Sequence, residues 1–297
     1  MTRGRDVGRA FLMLGAFLVF LFSGGPVLLA FIGSIVPDQA IFSYPPNWFG
    51  HGVTLDNYRY IFTGELPSVY QEQGATRSMI SDAARQVPRA LMNSMIVAGS
   101  VALVNLLLGA PAGFAYARMR FRGRILTFMG LIMAPLVPSI ALIVPYYLLV
   151  QEFGLVGSRI SMIAIHSVMT LPFTVLILSV FFRRVPGELH DAARVDGCTP
   201  FQVFTRIFVP LVRPSLLATG LFAFMLSYAE FMFAHALGGG SDVRLLPVVM
   251  AALARNPDVS WGLLNASIFV AVVPSLVLVV VVWRFVVEGL MLGGVKG

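Results

Sequence analysis

Six long apolar stretches separated by short polar ones set the pattern of this chain. They fall at about 10–35, 91–117, 125–150, 160–182, 211–237 and 264–287. Each is long enough to cross roughly 30 Å of hydrocarbon as a helix. The pattern predicts an all-α integral membrane protein, a single domain over 1–297 with six transmembrane helices. Arg3, Arg5 and Arg9 precede the first stretch, as they would a secretory signal. Its apolar run is too long for a signal core, and no small-residue cleavage site follows before Pro37, so a retained anchor is expected. Pro135, Pro138 and Pro145 in the third stretch and Pro172 in the fourth free backbone carbonyls. Those carbonyls either line a cavity or only mark bends that let the helices pack.

The polar segment 185–210, between the fourth and fifth stretches, carries the densest local signals. Glu188–Asp196 suits a short helix, with acids in its first turn and Leu189, Ala192 and Ala193 on one face. Gly197 takes the position just past its end, where a left-handed backbone is needed. Thr199 then reads as an N-cap, Pro200 as the first helical residue and Gln202 as the partner in a capping box. The second helix runs amphipathically through Phe201, Phe204, Ile207 and Phe208, and Pro210 is expected to end or kink it. Taken alone, these residues describe a well-capped connector lying on the headgroups.

Composition fixes the solvent. The chain is 58% hydrophobic and only 12% charged over 297 residues, with a mean hydropathy of +0.85, which places it in lipid. With the N-terminus inside, 14 basic residues fall on inner segments and 7 on outer ones, although the outer loops are longer. The strongest vote is the group Arg118, Arg120, Arg122 and Arg124 on one very short loop. Both termini and the 185–210 segment are therefore expected in the cytoplasm. The arginines flank apolar spans rather than forming one basic face, which excludes a nucleic-acid partner. Cys198 is the single cysteine, so no intrachain disulfide framework exists. Lys296 is the single lysine, and no Ser or Thr follows it, so a phosphate-binding P-loop is excluded.

Within the apolar stretches, Glu230 in Ser227-Tyr-Ala-Glu-Phe231 is the one acid. An intramembrane carboxylate is costly and faces a cavity or a partner. With Tyr228 it is a candidate for the wall of a solute pathway. The other reading is a bond to a neighbouring subunit or a place near the interface. His166 reads as a helix–helix hydrogen-bonding residue, with no second His or acid at metal-ligand spacing. No catalytic set and no metal site emerges; His51, His166, His190 and His235 lie on separate segments.

Asp191-Ala-Ala-x-x-x-Gly197, nine residues, then Ile207-x-x-Pro210 resembles the signature loop of permease subunits in binding-protein-dependent ABC importers. Asp191 stands where Glu is usual and Val209 where Leu is usual, both keeping the chemical type. Pro45-Pro-x-Trp48, Thr54-Leu-Asp-Asn-Tyr58, Phe62, Asn93-Ser94, Tyr116-Ala-x-Arg118, Phe121-x-Gly-Arg124 and the tail Gly293-Gly-Val-Lys-Gly297 are similar to the maltose-permease-like carbohydrate-uptake branch. The resemblance implies a bacterial inner membrane, a second homologous permease subunit or a second copy, two ATPase subunits, an external solute-binding protein and a sugar. It implies that the chain binds no cofactor itself, ATP and Mg lying on the partner subunits. It makes the segment a pair of coupling helices, with Glu188, Asp191, Ala192, Ala193, Asp196, Gly197, Phe201, Phe204, Ile207 and Pro210 as the ATPase-coupling residues. An ion-gradient-driven secondary transporter is the alternative; it favours several intramembrane acids and repeated halves, and this chain shows one acid and no repeat. A membrane-embedded enzyme needs a convergent acid–base or metal set, which is not visible.

Overall fold

The computed structural model describes residues 2–45, 47–50, 52–65, 83–238, 243–257 and 259–291. Pro46, Gly239, Gly240 and the tail Gly293–Gly297 lie outside the described residues. The regular elements of the described residues are all helices, with no strand among them. The helices are α1 (Thr2–Ile35), α2 (Asp38–Ile41), α3 (Asp56–Thr63), α4 (Val87–Arg118), α5 (Arg124–Met133), α6 (Ser139–Glu152) and α7 (Arg159–Arg184). Then come α8 (Gly187–Val195), α9 (Pro200–Leu211), α10 (Arg213–Tyr228), α11 (Met232–Gly238), α12 (Leu246–Arg255) and α13 (Trp261–Met291).

Four of the six expected spans are unbroken apolar helices, within α1, α4, α7 and α13. The third is broken, which the apolar pattern did not foretell, and the fifth starts after a bend, beside Pro210 where the preceding helix was expected to end or kink. Between α5 and α6 the axis turns by 101°. Pro135 sits in a tight turn at Ala134–Leu136, and Val137, just before Pro138, is extended at φ −71°, ψ 122°, the conformation that a following proline imposes. Between α9 and α10 the turn is 82°. It falls at Val212, not at Pro210. A wide turn at Phe204–Phe208 lets the helix carry on through Pro210, because loosening the ladder relieves the clash of the ring with the preceding turn. The chain then resets at Arg213-Pro214, with the proline in the first turn of α10.

The chain divides into two compact units. The first comprises Met1–Pro88 and Val249–Pro274. In it, the Asp38 carboxylate accepts from the backbone N–H groups of Trp261 (3.2 Å) and Gly262 (2.8 Å), capping the first turn of α13 from a distant segment. Burial raises the Asp38 carboxyl above its usual value, and these two donors oppose the rise. Asn57 donates to the Ser34 carbonyl at 3.1 Å, and Phe31 meets Phe269 with ring centroids 4.9 Å apart.

The second unit comprises Arg89–Val248 and Ser275–Gly297. Here α10 packs along α7, and α4 meets α7 through small and polar residues. A Cβ on Gly113 would lie 3.1 Å from both the Leu178 Cβ and the Ser179 backbone nitrogen, so glycine sets the approach of the two helices. Asn105 donates to Thr170 at 2.5 Å in the same interface. At the start of α4, Asn93 donates to the Arg244 carbonyl (3.1 Å) and accepts from Arg159 Nε (3.0 Å). Ser94 accepts from the Leu246 N–H at 2.8 Å. These two polar residues thus tie the entry of α12 to α4.

Candidate functional site

Two places in the second unit gather the residues singled out by sequence. The first is the α8–turn–α9 segment. Helix α8 covers Gly187–Val195, with Glu188 in its first turn and Asp196 as its C-cap. Gly197 follows at φ +81°. Its N–H donates to the Arg194 carbonyl (3.2 Å), and the Cys198 N–H to the Ala193 carbonyl (2.9 Å). These paired bonds form a Schellman motif and satisfy the last carbonyls of the helix. A Cβ at Gly197 would touch nothing within 4 Å, so its backbone conformation, not space, calls for glycine. The capping box is complete: Thr199 N–H donates to Gln202 Oε1 at 2.8 Å, and Gln202 N–H to Thr199 Oγ1 at 3.3 Å.

An aromatic knot fastens this unit to the membrane helices. Phe114 of α4 lies 5.8 Å from Phe182, 5.3 Å from Phe204 and 5.0 Å from Phe208, centroid to centroid. Phe182, Val203 and Phe208 are completely buried there, with Ala193 at 4% exposure. Arg118, the last residue of α4, clasps the knot. Its guanidinium donates to the carbonyls of Phe182 (2.8 Å), Arg183 (3.2 Å) and Val185, and lies 5.2 Å from the Phe208 ring centroid. It thereby supplies donors to the unsatisfied C-terminal end of α7. In the sequence Arg118 stands out for its charge and as the end of a family-like motif, and nothing marks it as this clasp. The available signal was an arginine at a helix end, facing a short polar segment.

The nominated coupling residues separate by face. Glu188, Asp191, Ala192, Asp196, Gly197, Phe201 and Pro210 are exposed. Ala193, Phe204 and Ile207 pack into the knot. Leu189, expected on one face of α8 with Ala192 and Ala193, is 41% exposed, and Phe201 is 73% exposed. Only a narrow strip of α8 reaches the protein, since Ala193 is its one buried residue.

The second place is the gap between α10 and α11. The span expected to run on through 237 stops at Tyr228 and resumes at Met232. Glu230 sits in that gap. Its Oε1 accepts from the Phe233 N–H and its Oε2 from the Ala234 N–H, each at 3.0 Å, so it caps α11. Oε2 also lies 3.2 Å from His166 Nε2 on α7. His166 Nδ1 is 2.8 Å from Ser227 Oγ. Sequence spacing gave no acid beside His166; the fold supplies one. Tyr228 is buried and stacks on Phe224 at 5.5 Å between ring centroids. Among the described residues no three His, Cys, Asp or Glu side chains gather, so this is a carboxylate–imidazole pair rather than a ligand cluster.

Comparison with known proteins places the geometry in context. Residues 105–290 match the family model described as binding-protein-dependent transport system inner membrane component. The chain is 28% identical over 290 residues, 98% of each chain, to the diacetylchitobiose uptake system permease protein DasC of Streptomyces coelicolor. It is 30% identical over 274 residues, 92% of each chain, to the trehalose transport system permease protein SugB of Mycobacterium tuberculosis. Its fold is shared, at a TM-score of 0.70 and 17% identity over 94% of this chain and 97% of the other, with a solved bacterial ABC transporter involved in the import of the acidic polysaccharide alginate.

Proposed function

The chain belongs to the family of binding-protein-dependent transport system inner membrane components, and from that premise we propose that it is a permease subunit through which a carbohydrate enters a bacterial cell. The relatives over its whole length are named for diacetylchitobiose and trehalose uptake, which favours a disaccharide, oligosaccharide or sugar derivative. In this reading it pairs with a second permease subunit in the inner membrane, both termini in the cytoplasm. An external binding protein delivers the solute, and two separate ATPase subunits hold ATP and Mg; this chain binds no cofactor of its own. Membership in this family leaves the ion-gradient alternative without support.

The observation that carries the mechanism is the two-faced α8–α9 unit. One face is locked to α4 and α7 by rings and by Arg118. The other presents Glu188, Asp191, Ala192, Asp196, Gly197 and Phe201 outward. A docking element that passes on force needs both properties: a free face for a partner, and an attachment stiff enough not to absorb the movement. Closure of the ATPase subunits would push on the outer face, and the knot would carry the displacement to the ends of α4 and α7. Glu230 and Tyr228 then belong to the wall of the pathway, with the His166 pair fixing the broken fifth span.

Gly197→Val tests this. A β-branched residue at φ +81° carries strain of at least about 1–2 kcal/mol, enough to distort the turn and small beside the stability of a domain. The expected variant inserts at normal membrane levels, and it loses uptake of the sugar or hydrolyses ATP without transport. Normal uptake of the radiolabelled sugar at normal levels would overturn the coupling role.

A further inference from the structure

Away from the coupling unit, a groove of about 900 Å³ opens where α4 has ended, α5 begins and α7 ends. Its floor and walls are apolar, formed by Phe128, Met129 and Ile132 among others. Three arginines, Arg120, Arg124 and Arg183, line the same groove, and no acidic side chain does. Two of the arginines are held in place. Arg124 donates to the Tyr116 carbonyl at 2.6 Å, and the Arg183 guanidinium lies 5.5 Å from the Phe128 ring centroid. The apolar side remains open: Met129 is 56% exposed and Ile132 48%. These helix ends bound apolar spans, so the arginines stand at headgroup depth and the apolar wall of α5 leads away from them into hydrocarbon.

We propose that this groove binds an anionic phospholipid, its phosphate on the arginines and its acyl chains along Phe128, Met129 and Ile132. A basic mouth on an apolar wall complements a molecule that is anionic at one end and apolar along the rest. Guanidinium groups suit the phosphate because they donate in a planar fork. A soluble phosphate would use the mouth and leave the wall unexplained. A zwitterionic lipid would use the wall, but its own ammonium cancels its phosphate and leaves the net positive charge of the three arginines uncompensated. The site is independent of the coupling role assigned to α8 and α9 and of which solute is carried.

The test places a reporter in the wall. The intact transporter, purified through this chain, carries Met129→Trp and is reconstituted in phosphatidylcholine vesicles. Brominated phosphatidylglycerol or brominated phosphatidylcholine is added, with the Met129 protein as background. The expected result is preferential quenching by phosphatidylglycerol, an association ratio of about fivefold or more, since each basic residue near a membrane surface contributes about that factor. R120Q/R183Q lowers the ratio severalfold, to what Arg124 alone sustains, and R120K/R183K keeps it close to the original value. Equal quenching by the two lipids overturns the proposal. So does absence of quenching by either, which would show that a protein chain covers the groove. Loss of the preference on adding inorganic phosphate to the same vesicles would assign the arginines to a soluble anion and overturn it as well. Should R120Q/R183Q fail to accumulate, the headgroup comparison on the Met129→Trp protein alone decides.

Discussion

The α8–α9 unit joins two membrane helices and the gap at residues 229–231 interrupts one, and the two are held by opposite means. The first rests on many weak contacts that overlap: four phenylalanine rings, a guanidinium on three carbonyls, a Schellman turn and a capping box. The second rests on one carboxylate that meets two amides and an imidazole. Dispersion and burial sum over many atoms, so losing one partner leaves the rest of the knot in place. A single polar bridge fails all at once, because its removal leaves several groups unpaired together. The difference suits the two places. On the roles proposed for them, a lever must stay stiff under load, whereas a gap in a helix beside the solute pathway needs a fixed geometry set by few atoms.

Truncating the knot gives the largest expected effect and separates its two faces. Phe208 is fully buried against Phe114, Phe182 and Arg118. Phe208→Ala should cost about 3–5 kcal/mol, read as a lowered unfolding midpoint of the purified chain in mixed micelles. Phe201 is on the same helix with its ring 73% exposed. Phe201→Ala should change stability by less than about 0.5 kcal/mol, while lowering the sugar-stimulated ATP hydrolysis of the assembled transporter. Equal destabilisation by the two substitutions would mean that the segment has no free face.

The bridge at Glu230 should give an intermediate effect. Glu230→Ala strips the partner from the Phe233 and Ala234 amides and from His166 Nε2, and the expected cost is about 1–3 kcal/mol. Faster hydrogen exchange should be confined to the start of α11. A cycle with His166→Ala isolates the pair. Its coupling energy should fall near 0.6 kcal/mol and at most about 1.7, the range for side-chain hydrogen bonds between membrane helices. Zero coupling would assign the whole weight of Glu230 to the cap of α11 and remove the tie to α7.

The same contrast explains what was legible in the sequence. Gly197, Thr199, Pro200 and Gln202 act through bonds that span three to five residues, so their order in the chain encodes their geometry. The apolar stretches were legible because length and hydropathy are local too. The breaks in the third and fifth spans were hidden by their uniform greasiness. Prolines marked the third, but a proline reports a missing N–H and not how far the axis turns. At Pro210 the chain absorbed the proline with a wide turn, and the bend passed to Val212. Nothing near His166 names Glu230, and nothing near Arg118 names Val185. Those pairings exist only once α4, α7 and α10 are packed together. Leu189 teaches the same lesson, since helical periodicity gave it a face but not whether a neighbour covers that face.

The smallest expected effect tests whether the local signals in the α8–α9 unit matter once the knot has formed. Thr199→Ala removes the acceptor for the Gln202 N–H and leaves the other half of the box intact, because the bond to Gln202 Oε1 comes from the backbone at position 199. N-cap threonines contribute about 0.5–2 kcal/mol. The bond lost here is 3.3 Å long, beyond the usual distance for N–H···O, which places the cost near the low end. Gln202→Ala removes the side-chain acceptor for the Thr199 N–H and keeps the reciprocal bond, which comes from the backbone at position 202. The bond lost is the shorter one, at 2.8 Å, so it should cost as much or slightly more. Each is read as faster exchange of the amides at the start of α9, with the unfolding midpoint almost unchanged. If instead Thr199→Ala lowers the midpoint as much as Phe208→Ala, the cap and not the aromatic knot holds the unit to the membrane helices. The contrast between overlapping contacts and a single bridge would then fail in the region where it is most clearly drawn.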